Sequence, residues 1–145
     1  MRALVCTKYA EPHVLAAKKV TNYFPVPSEL RMRVYACGVN FPDILMIRGK
    51  YQITPEMPFF PGCEVAGEVP EIGGSVTGFS VRDRIIAMSR VGGMREELVV
   101  AAECCLAMPR EIDFGVAAVF SLAYGTGCHA LLIVPDYSQV KLYWY

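Results

Sequence analysis

The sequence contains few of the side chains from which metal centres and disulfide frameworks are built. Only two histidines are present, His13 and His129, and none of the six cysteines belongs to a C-x-x-C pair. Scattered reduced cysteines usually serve as small buried apolar residues. We therefore expect neither a bound metal nor a set of disulfide bonds.

The sequence also lacks an excess of charge of either sign. Lys and Arg together number 14, as do Asp and Glu, and no segment concentrates basic residues. A nucleic-acid-binding surface needs such a concentration, so that class of partner is excluded. Apolar residues make up 54% of the chain, which is above the usual range of about 45–50%. This surplus predicts that part of the apolar surface is left uncovered.

Long hydrophobic runs are absent as well. The longest apolar stretch, 114–134, is interrupted by Gly115, Gly125, Gly127 and His129, and a membrane span needs about 18 consecutive apolar residues. The first residues are typical of a short strand and not of a secretory signal. We predict no membrane span and, by default, a cytoplasmic location.

What the sequence does contain is a series of short apolar stretches separated by Gly and Pro. Apolar and polar residues alternate over 30–35, which predicts a half-buried strand. Further strands are predicted at 3–6, 63–69, 84–88 and 98–102. Frequent short strands of this kind favour a barrel or sandwich, and the expected class is mainly β with a few helices (α+β).

Two helical regions are predicted. A short helix follows Asn40, with Pro42 and Asp43 in its first turn and Gly49 at its end. A second, apolar helix begins after Asp113, which is a suitable N-cap. The segment 125–127, Gly-Thr-Gly, is expected to interrupt this helix before it resumes at 128–134.

Seven segments follow one another in an order typical of one enzyme family. They are MRALV (1–5), GVNFPD (38–43), RGKY (48–51), PGCEVAG (61–67), VRDRI (81–85), GGMREE (92–97) and YGTGCHAL (124–131). Each is weak alone, but together they cover residues 1 to about 132. The chain resembles the medium-chain dehydrogenase/reductase superfamily and, within it, the quinone oxidoreductase (zeta-crystallin-like) branch.

The resemblance implies a GroES-like, partly open β-barrel for residues 1–132, which forms the substrate side of a cleft. In the family, a Rossmann domain forms the other wall and holds NADPH, the hydride donor for a quinone or another activated double bond. The G-x-G-x-x-G turn of that domain is absent from these 145 residues. We therefore expect a truncated N-terminal catalytic domain with no Rossmann domain, followed by a divergent tail at 133–145.

The resemblance also bears on zinc. Alcohol dehydrogenases of the superfamily have Cys at the position of Asn40 and His at the position of Cys63. A single thiol cannot form the three-ligand site of a catalytic zinc. The four-cysteine structural zinc lobe has no counterpart either, and its place is taken by the short turn 90–93. The expected branch is therefore the zinc-independent one.

Four polar residues match active-site positions of quinone oxidoreductases. The resemblance implies catalytic roles for Asn40, Asp43, Tyr51 and Thr126, and contacts of Asn40 and Thr126 with NADPH. Without a metal, charge on a carbonyl or quinone oxygen is stabilised by hydrogen-bond donors. Simpler interpretations stay open: Asn40 as a helix cap, Asp43 as a dipole partner, Tyr51 as a rim aromatic and Thr126 as a turn residue. Glu64 is expected to be structural and bound to backbone donors.

The sequence departs from the family at Arg82, where Gly is usual. If this position requires a left-handed backbone, the arginine costs roughly 1–2 kcal/mol. The expected partner is a quinone-like small molecule, but the chain by itself is expected to be inactive because the cofactor domain is missing. The alternatives are a binding or regulatory module that pairs with a full-length relative, as a homo- or hetero-oligomer, and a non-functional truncated product.

Overall fold

The computed structural model describes residues 1–132 and is mainly β. Two antiparallel strands form a small sheet, and five antiparallel strands form a larger sheet in the order β6-β3-β4-β5-β7. The strands are β1 (Arg2–Val5), β2 (Ala16–Lys19), β3 (Glu29–Gly38), β4 (Glu64–Ile72), β5 (Arg84–Met88), β6 (Glu97–Ala101) and β7 (Cys105–Ala107). The helices are α1 (Phe41–Ile47), α2 (Phe114–Ala117) and α3 (Phe120–Leu132), with short 3-10 turns at Pro12–Val14 and Ala102–Cys104.

The two sheets are joined but do not close. Isolated bridges pair Ala3 with Arg95 and Cys6 with Phe59, which ties the small sheet to the loops of the large one. The predicted class, mainly β with a few helices in a partly open barrel, is confirmed. None of the helices in residues 1–132 is both long and apolar enough to cross a membrane.

The main core is formed by the inward-facing residues of the large sheet. Leu30 and Met32 on β3 are fully buried, together with Val65 and Val69 on β4 and Ile85 on β5. The strand predicted at 30–35 from alternating residues thus has its apolar side in the core. Each such side chain contributes about 1.5–3 kcal/mol by leaving water, and this burial fixes the register of the sheet.

β4 continues beyond its predicted end at Val69 and passes through Pro70. Arg31 pairs with Glu71 and Arg33 with Glu68, so the ladder contains a bulge between these pairs. A proline is tolerated at a bulge because its missing N–H is not needed for pairing there. The strand therefore extends to Ile72.

The expectation that 125–127 interrupts the second helix is wrong. α3 runs without interruption from Phe120 to Leu132, and the break lies earlier, between α2 and α3. Glycine lowers helix stability by about 1 kcal/mol relative to alanine but does not forbid the conformation. Burial of Ala117 and Ala118 against the sheet decides where the chain turns. The predicted N-cap is confirmed, since Asp113 Oδ1 accepts a hydrogen bond from Val116 N at 2.9 Å.

The predicted helical end 133–134 and the divergent tail 133–145 lie outside the described residues. The domain boundary at 132 therefore stays a prediction.

Candidate active site

The first element of the site is the buried carboxylate of Asp43 in the first turn of α1. Its Oδ2 accepts a hydrogen bond from Asn40 N at 2.8 Å, and its Oδ1 accepts one from Gly62 N at 3.0 Å. Burial raises the pKa of Asp43, and the two backbone N–H groups partly oppose that shift. Asp43 thus ties the start of α1 to the 58–62 loop and holds Asn40 in place.

Gly62 allows this close packing. Its φ of +97° lies in the region that favours glycine. A β-carbon at this position would lie 2.6 Å from Cys37 Sγ and 2.8 Å from Met94 N. The loop can therefore approach β3 and Asp43 only with glycine here.

The second element is Glu64, a fully buried carboxylate at the start of β4. Its Oε1 accepts a hydrogen bond from Asn40 Nδ2 at 3.0 Å, and its Oε2 accepts one from Leu122 N at 2.9 Å. Leu122 is the third residue of α3, where a backbone N–H has no acceptor within the helix and a negative charge is favoured. Of the backbone donors expected for Glu64, one is found, at Leu122, and the second donor is the side chain of Asn40; a structural role for Glu64 stays a prediction.

Asn40 is the residue that links these two carboxylates. It occupies the N-cap position of α1 with an extended backbone, but its side chain is directed to Glu64. The side chain also takes part in a capping box with Asp43, so Asn40 caps the helix and, through its Nδ2, binds Glu64 as well. Its Nδ2 also lies 3.9 Å from Cys63 Sγ, so the two positions that carry zinc ligands in alcohol dehydrogenases are adjacent here as an amide and a thiol.

Burial keeps the neighbouring thiols protonated. It raises the pKa of Cys63 to about 11, and the charges of Asp43 and Glu64 add to the shift. The pKa of Cys37 is raised to about 12 for the same reasons. Because a thiolate is the nucleophilic and metal-binding form, neither thiol offers such a group at neutral pH. Within residues 1–132, no three His, Cys, Asp or Glu side chains are grouped as a metal site.

Beside this network lies a cavity of about 200 Å³, which we call the Tyr51 pocket. Its lining comprises Pro42, Met46, Tyr51, Ile53, Cys63, Met88, Ser89, Arg90 and Leu122. The walls are predominantly apolar, as in most small-molecule sites. A larger cavity of about 400 Å³ runs along β1 and β3, but it contains none of the four predicted site residues.

The structure gathers three of the four predicted residues. Asn40 and Asp43 both lie against Cys63, which lines the Tyr51 pocket together with Tyr51 itself. Thr126 lies apart, exposed on α3 one turn beyond Leu122 and on the same helix face. The hydrogen bonds described for residues 1–132 include none from the Thr126 side chain.

Two lining residues, Ser89 and Arg90, were not among the predicted site residues. They follow β5 directly, and Arg90 is the first residue of the short turn 90–93 that the sequence predicted. The sequence feature that could have indicated them is a pair of polar residues directly after the apolar strand 84–88. Only the folded arrangement shows that this strand end opens into the same pocket as α1.

This fold and its buried network of Asn40, Asp43 and Glu64 point to a class of domain, the alcohol dehydrogenase GroES-like domain. Residues 26–140 match the model of that family. Since the match covers most of the chain, the chain belongs to this family.

The similar curated proteins are quinone oxidoreductase-like. "Quinone oxidoreductase-like protein 2 homolog" of Nematostella vectensis is 40% identical over 126 residues, which cover 86% of this chain and 34% of that protein. "Quinone oxidoreductase-like protein 2" of Mus musculus is 37% identical over 140 residues, which cover 97% of this chain and 39% of that protein. The resemblance to the quinone oxidoreductase branch is confirmed, and the chain spans well under half the length of these relatives.

Solved structures agree with this assignment. The Escherichia coli quinone oxidoreductase complexed with NADPH matches with a TM-score of 0.86 and 28% identity, over 91% of this chain and 40% of that one. The human synaptic vesicle membrane protein VAT-1 homolog-like protein matches with a TM-score of 0.90 and 30% identity, over 92% of this chain and 43% of that one.

Proposed function

We propose that this chain supplies the substrate side of a zinc-independent quinone oxidoreductase, which reduces a quinone or another activated double bond with NADPH. The observation that carries the proposal is the Tyr51 pocket, an apolar cavity beside the hydrogen-bonded network of Asn40, Glu64 and Leu122. The names of the relatives support the substrate class.

In this proposal the residues bind and orient the substrate oxygen. The apolar walls exclude water, which strengthens every hydrogen bond made inside the pocket. The Tyr51 hydroxyl donates to the oxygen. Asn40 Nδ2 carries two hydrogens. One is donated to Glu64 at 3.0 Å, and the other faces Cys63 Sγ at 3.9 Å, a contact long enough to give way to a substrate oxygen. Asp43 does not touch the substrate and is a positioning residue, because both of its oxygens accept bonds from backbone N–H groups.

The residues present fit one end of NADPH. Asn40 lies beside the pocket and the exposed hydroxyl of Thr126 lies one turn beyond it on α3, so these two residues would hold the nicotinamide. When bound, NADPH supplies the hydride. A turn for the pyrophosphate is not found among these 145 residues. We therefore propose that the chain by itself does not turn over NADPH.

The test combines a binding and an activity measurement on the pure chain. Duroquinone is a suitable probe because its methyl groups block addition of the exposed thiols of Cys104 and Cys128. We expect it to shift the amide NMR signals of Cys63 and Leu122, and the Tyr51→Phe variant to bind it about fivefold more weakly through loss of one hydrogen bond. NADPH oxidation should stay at the buffer rate.

The control for this experiment is Tyr35→Phe. Tyr35 is half-exposed and its ring stacks on Phe114, away from the Tyr51 pocket, so that duroquinone affinity should be unchanged. Equal binding by the Tyr51→Phe variant would contradict the role of Tyr51. Quinone-dependent NADPH oxidation by the pure chain would contradict the proposed inactivity.

A second candidate function is that of a binding or regulatory module that pairs with a full-length relative. It is favoured by an apolar surface, the α2–α3 face, formed by Val116, Val119, Phe120, Tyr124 and Leu131. Co-purification of the chain with a full-length quinone oxidoreductase would support this candidate. A broad, non-cooperative thermal melt would instead favour the remaining alternative, a truncated product without function.

A further inference from the structure

Ser89 is held at a fixed place in the wall of the Tyr51 pocket. It follows the last residue of β5, and its backbone N–H donates a hydrogen bond to the carbonyl oxygen of Cys63 at 2.8 Å. This bond continues the pairing of β4 with β5, in which Glu64 lies opposite Met88. The position of Ser89 is therefore set by the sheet.

The Ser89 hydroxyl is buried but has no hydrogen-bond partner within residues 1–132. Buried polar side-chain atoms nearly always have a partner, and each exception calls for an explanation. Two other buried atoms share this condition, Arg31 Nε and Ser121 Oγ, but neither residue lines the pocket. Ser89 thus combines an unused donor with a place in the wall of a candidate binding site.

We propose that Ser89 Oγ, which is out of contact with water in this structure, turns toward the Tyr51 pocket by rotation about the Cα–Cβ bond and donates a hydrogen bond to the carbonyl oxygen of a ligand bound there. The inference rests on the proposed function and adds to it a second hydroxyl donor, located on a different element from Tyr51. The cavity of about 200 Å³ is smaller than the roughly 300–1,000 Å³ of pockets that hold drug-sized ligands. The part of a ligand that lies between these walls is therefore a carbonyl group on a single ring.

The experiment uses the complete 145-residue chain and two probes of the same shape. Acetophenone carries a carbonyl oxygen, and α-methylstyrene has a CH₂ group in its place. Both are uncharged, which limits any contribution from Arg90, and neither adds readily to thiols. Dissociation constants are measured by NMR titration, with the amide signals of Cys63 and Leu122 as reporters of the pocket.

We expect Ser89→Ala to weaken acetophenone binding about fivefold, the effect of one neutral hydrogen bond, and to leave α-methylstyrene binding unchanged. The matched control is Ser121→Ala, which removes the other buried hydroxyl without a partner and should alter neither constant. The Tm of the Ser89→Ala variant should stay level or rise, because the hydroxyl has no partner in the fold.

Three results would overturn the proposal. The first is equal affinity of wild type and Ser89→Ala for acetophenone, which removes the role of Ser89 but leaves the proposed function intact. The second is a marked fall in the Tm of Ser89→Ala, which would assign the hydroxyl a structural partner. The third is the absence of any shift at Cys63 and Leu122 with either probe, which would remove the pocket and the proposed function together.

Discussion

At the scale of single residues, Arg82 is the clearest conflict between side chain and backbone. Its φ is +76°, the only positive φ outside glycine in residues 1–132. The condition on which the cost of this arginine depended, a left-handed backbone, is therefore met. We predict that Arg82→Gly raises the free energy of unfolding by about 1 kcal/mol, since relief of roughly 1–2 kcal/mol of strain is partly offset by the greater freedom of glycine in the unfolded chain. Urea unfolding measures this change.

The control for this prediction is Arg82→Ala. Alanine keeps the β-carbon that causes the strain and also removes the exposed guanidinium, so it separates the backbone effect from the loss of charge. We expect no comparable gain in stability for this variant. The backbone explanation would be wrong if the glycine variant were no more stable than the alanine variant.

The role of a residue could be predicted from the sequence where a local backbone requirement or the family pattern determines it. Arg82 and Glu64 are examples, because a turn has a preferred residue and a carboxylate in a core segment needs donors. Ser89 is not such a case. Its significance depends on which partners its hydroxyl lacks after folding, and that is decided by α1 and α3, which are distant in sequence.

At the scale of elements, the attachment of α3 to the sheet depends on Glu64. Both groups that this carboxylate contacts, Asn40 Nδ2 and Leu122 N, are donors. We predict that Glu64→Gln lowers the free energy of unfolding by about 1–3 kcal/mol, because the glutamine has one acceptor oxygen and its NH₂ group would face a donor. Urea unfolding gives the loss, and hydrogen exchange of the Leu122 amide should become faster.

A suitable comparison is Glu103→Gln, an exposed glutamate in the short 3-10 turn before β7. This variant makes the same chemical change and should leave both measurements near their wild-type values. Slow exchange at Leu122 in the Glu64→Gln variant would show that the first turn of α3 is held by something other than this carboxylate.

The two helical regions show why some elements were predictable and others were not. α1 begins and ends on local signals, Pro42 in the first turn and Gly49 with φ of +66°, and it was predicted within about a residue. The break before α3 has no such local signal. It is set by burial of Ala118 in a cluster with Ala66 and by the bond of Glu64 to Leu122 at the N-terminus of α3, contacts between residues more than 50 positions apart.

At the scale of the whole molecule, exposed apolar side chains, which the high apolar content of the sequence predicted, are grouped on the α2–α3 face. The residues of the α2–α3 face are 47–63% exposed, and Phe120 stacks on Tyr124 with ring centroids 4.7 Å apart. No residue of α3 is buried. An amphipathic surface helix normally turns one apolar stripe to the core and a polar face to water. The apolar face of α3 instead lies exposed, which indicates a surface that packs against another domain or protein. In the proposed function, the cofactor domain or a second protein would cover this helix.

This exposure leads to a prediction for the isolated chain. We expect it to bind a hydrophobic dye in its native state, because the five side chains of this face form an exposed apolar surface and large exposed apolar patches mark interaction sites. Tyr124→Ser should reduce dye fluorescence by about a third, the share of one aromatic ring in such a patch. Phe24→Ser is the matched control, since Phe24 is 73% exposed but belongs to a different surface, near Arg31. Equal losses for the two variants would mean that the dye responds to exposed aromatic rings in general. The experiment would then not support the α2–α3 face as the docking surface for a partner or for the proposed cofactor domain.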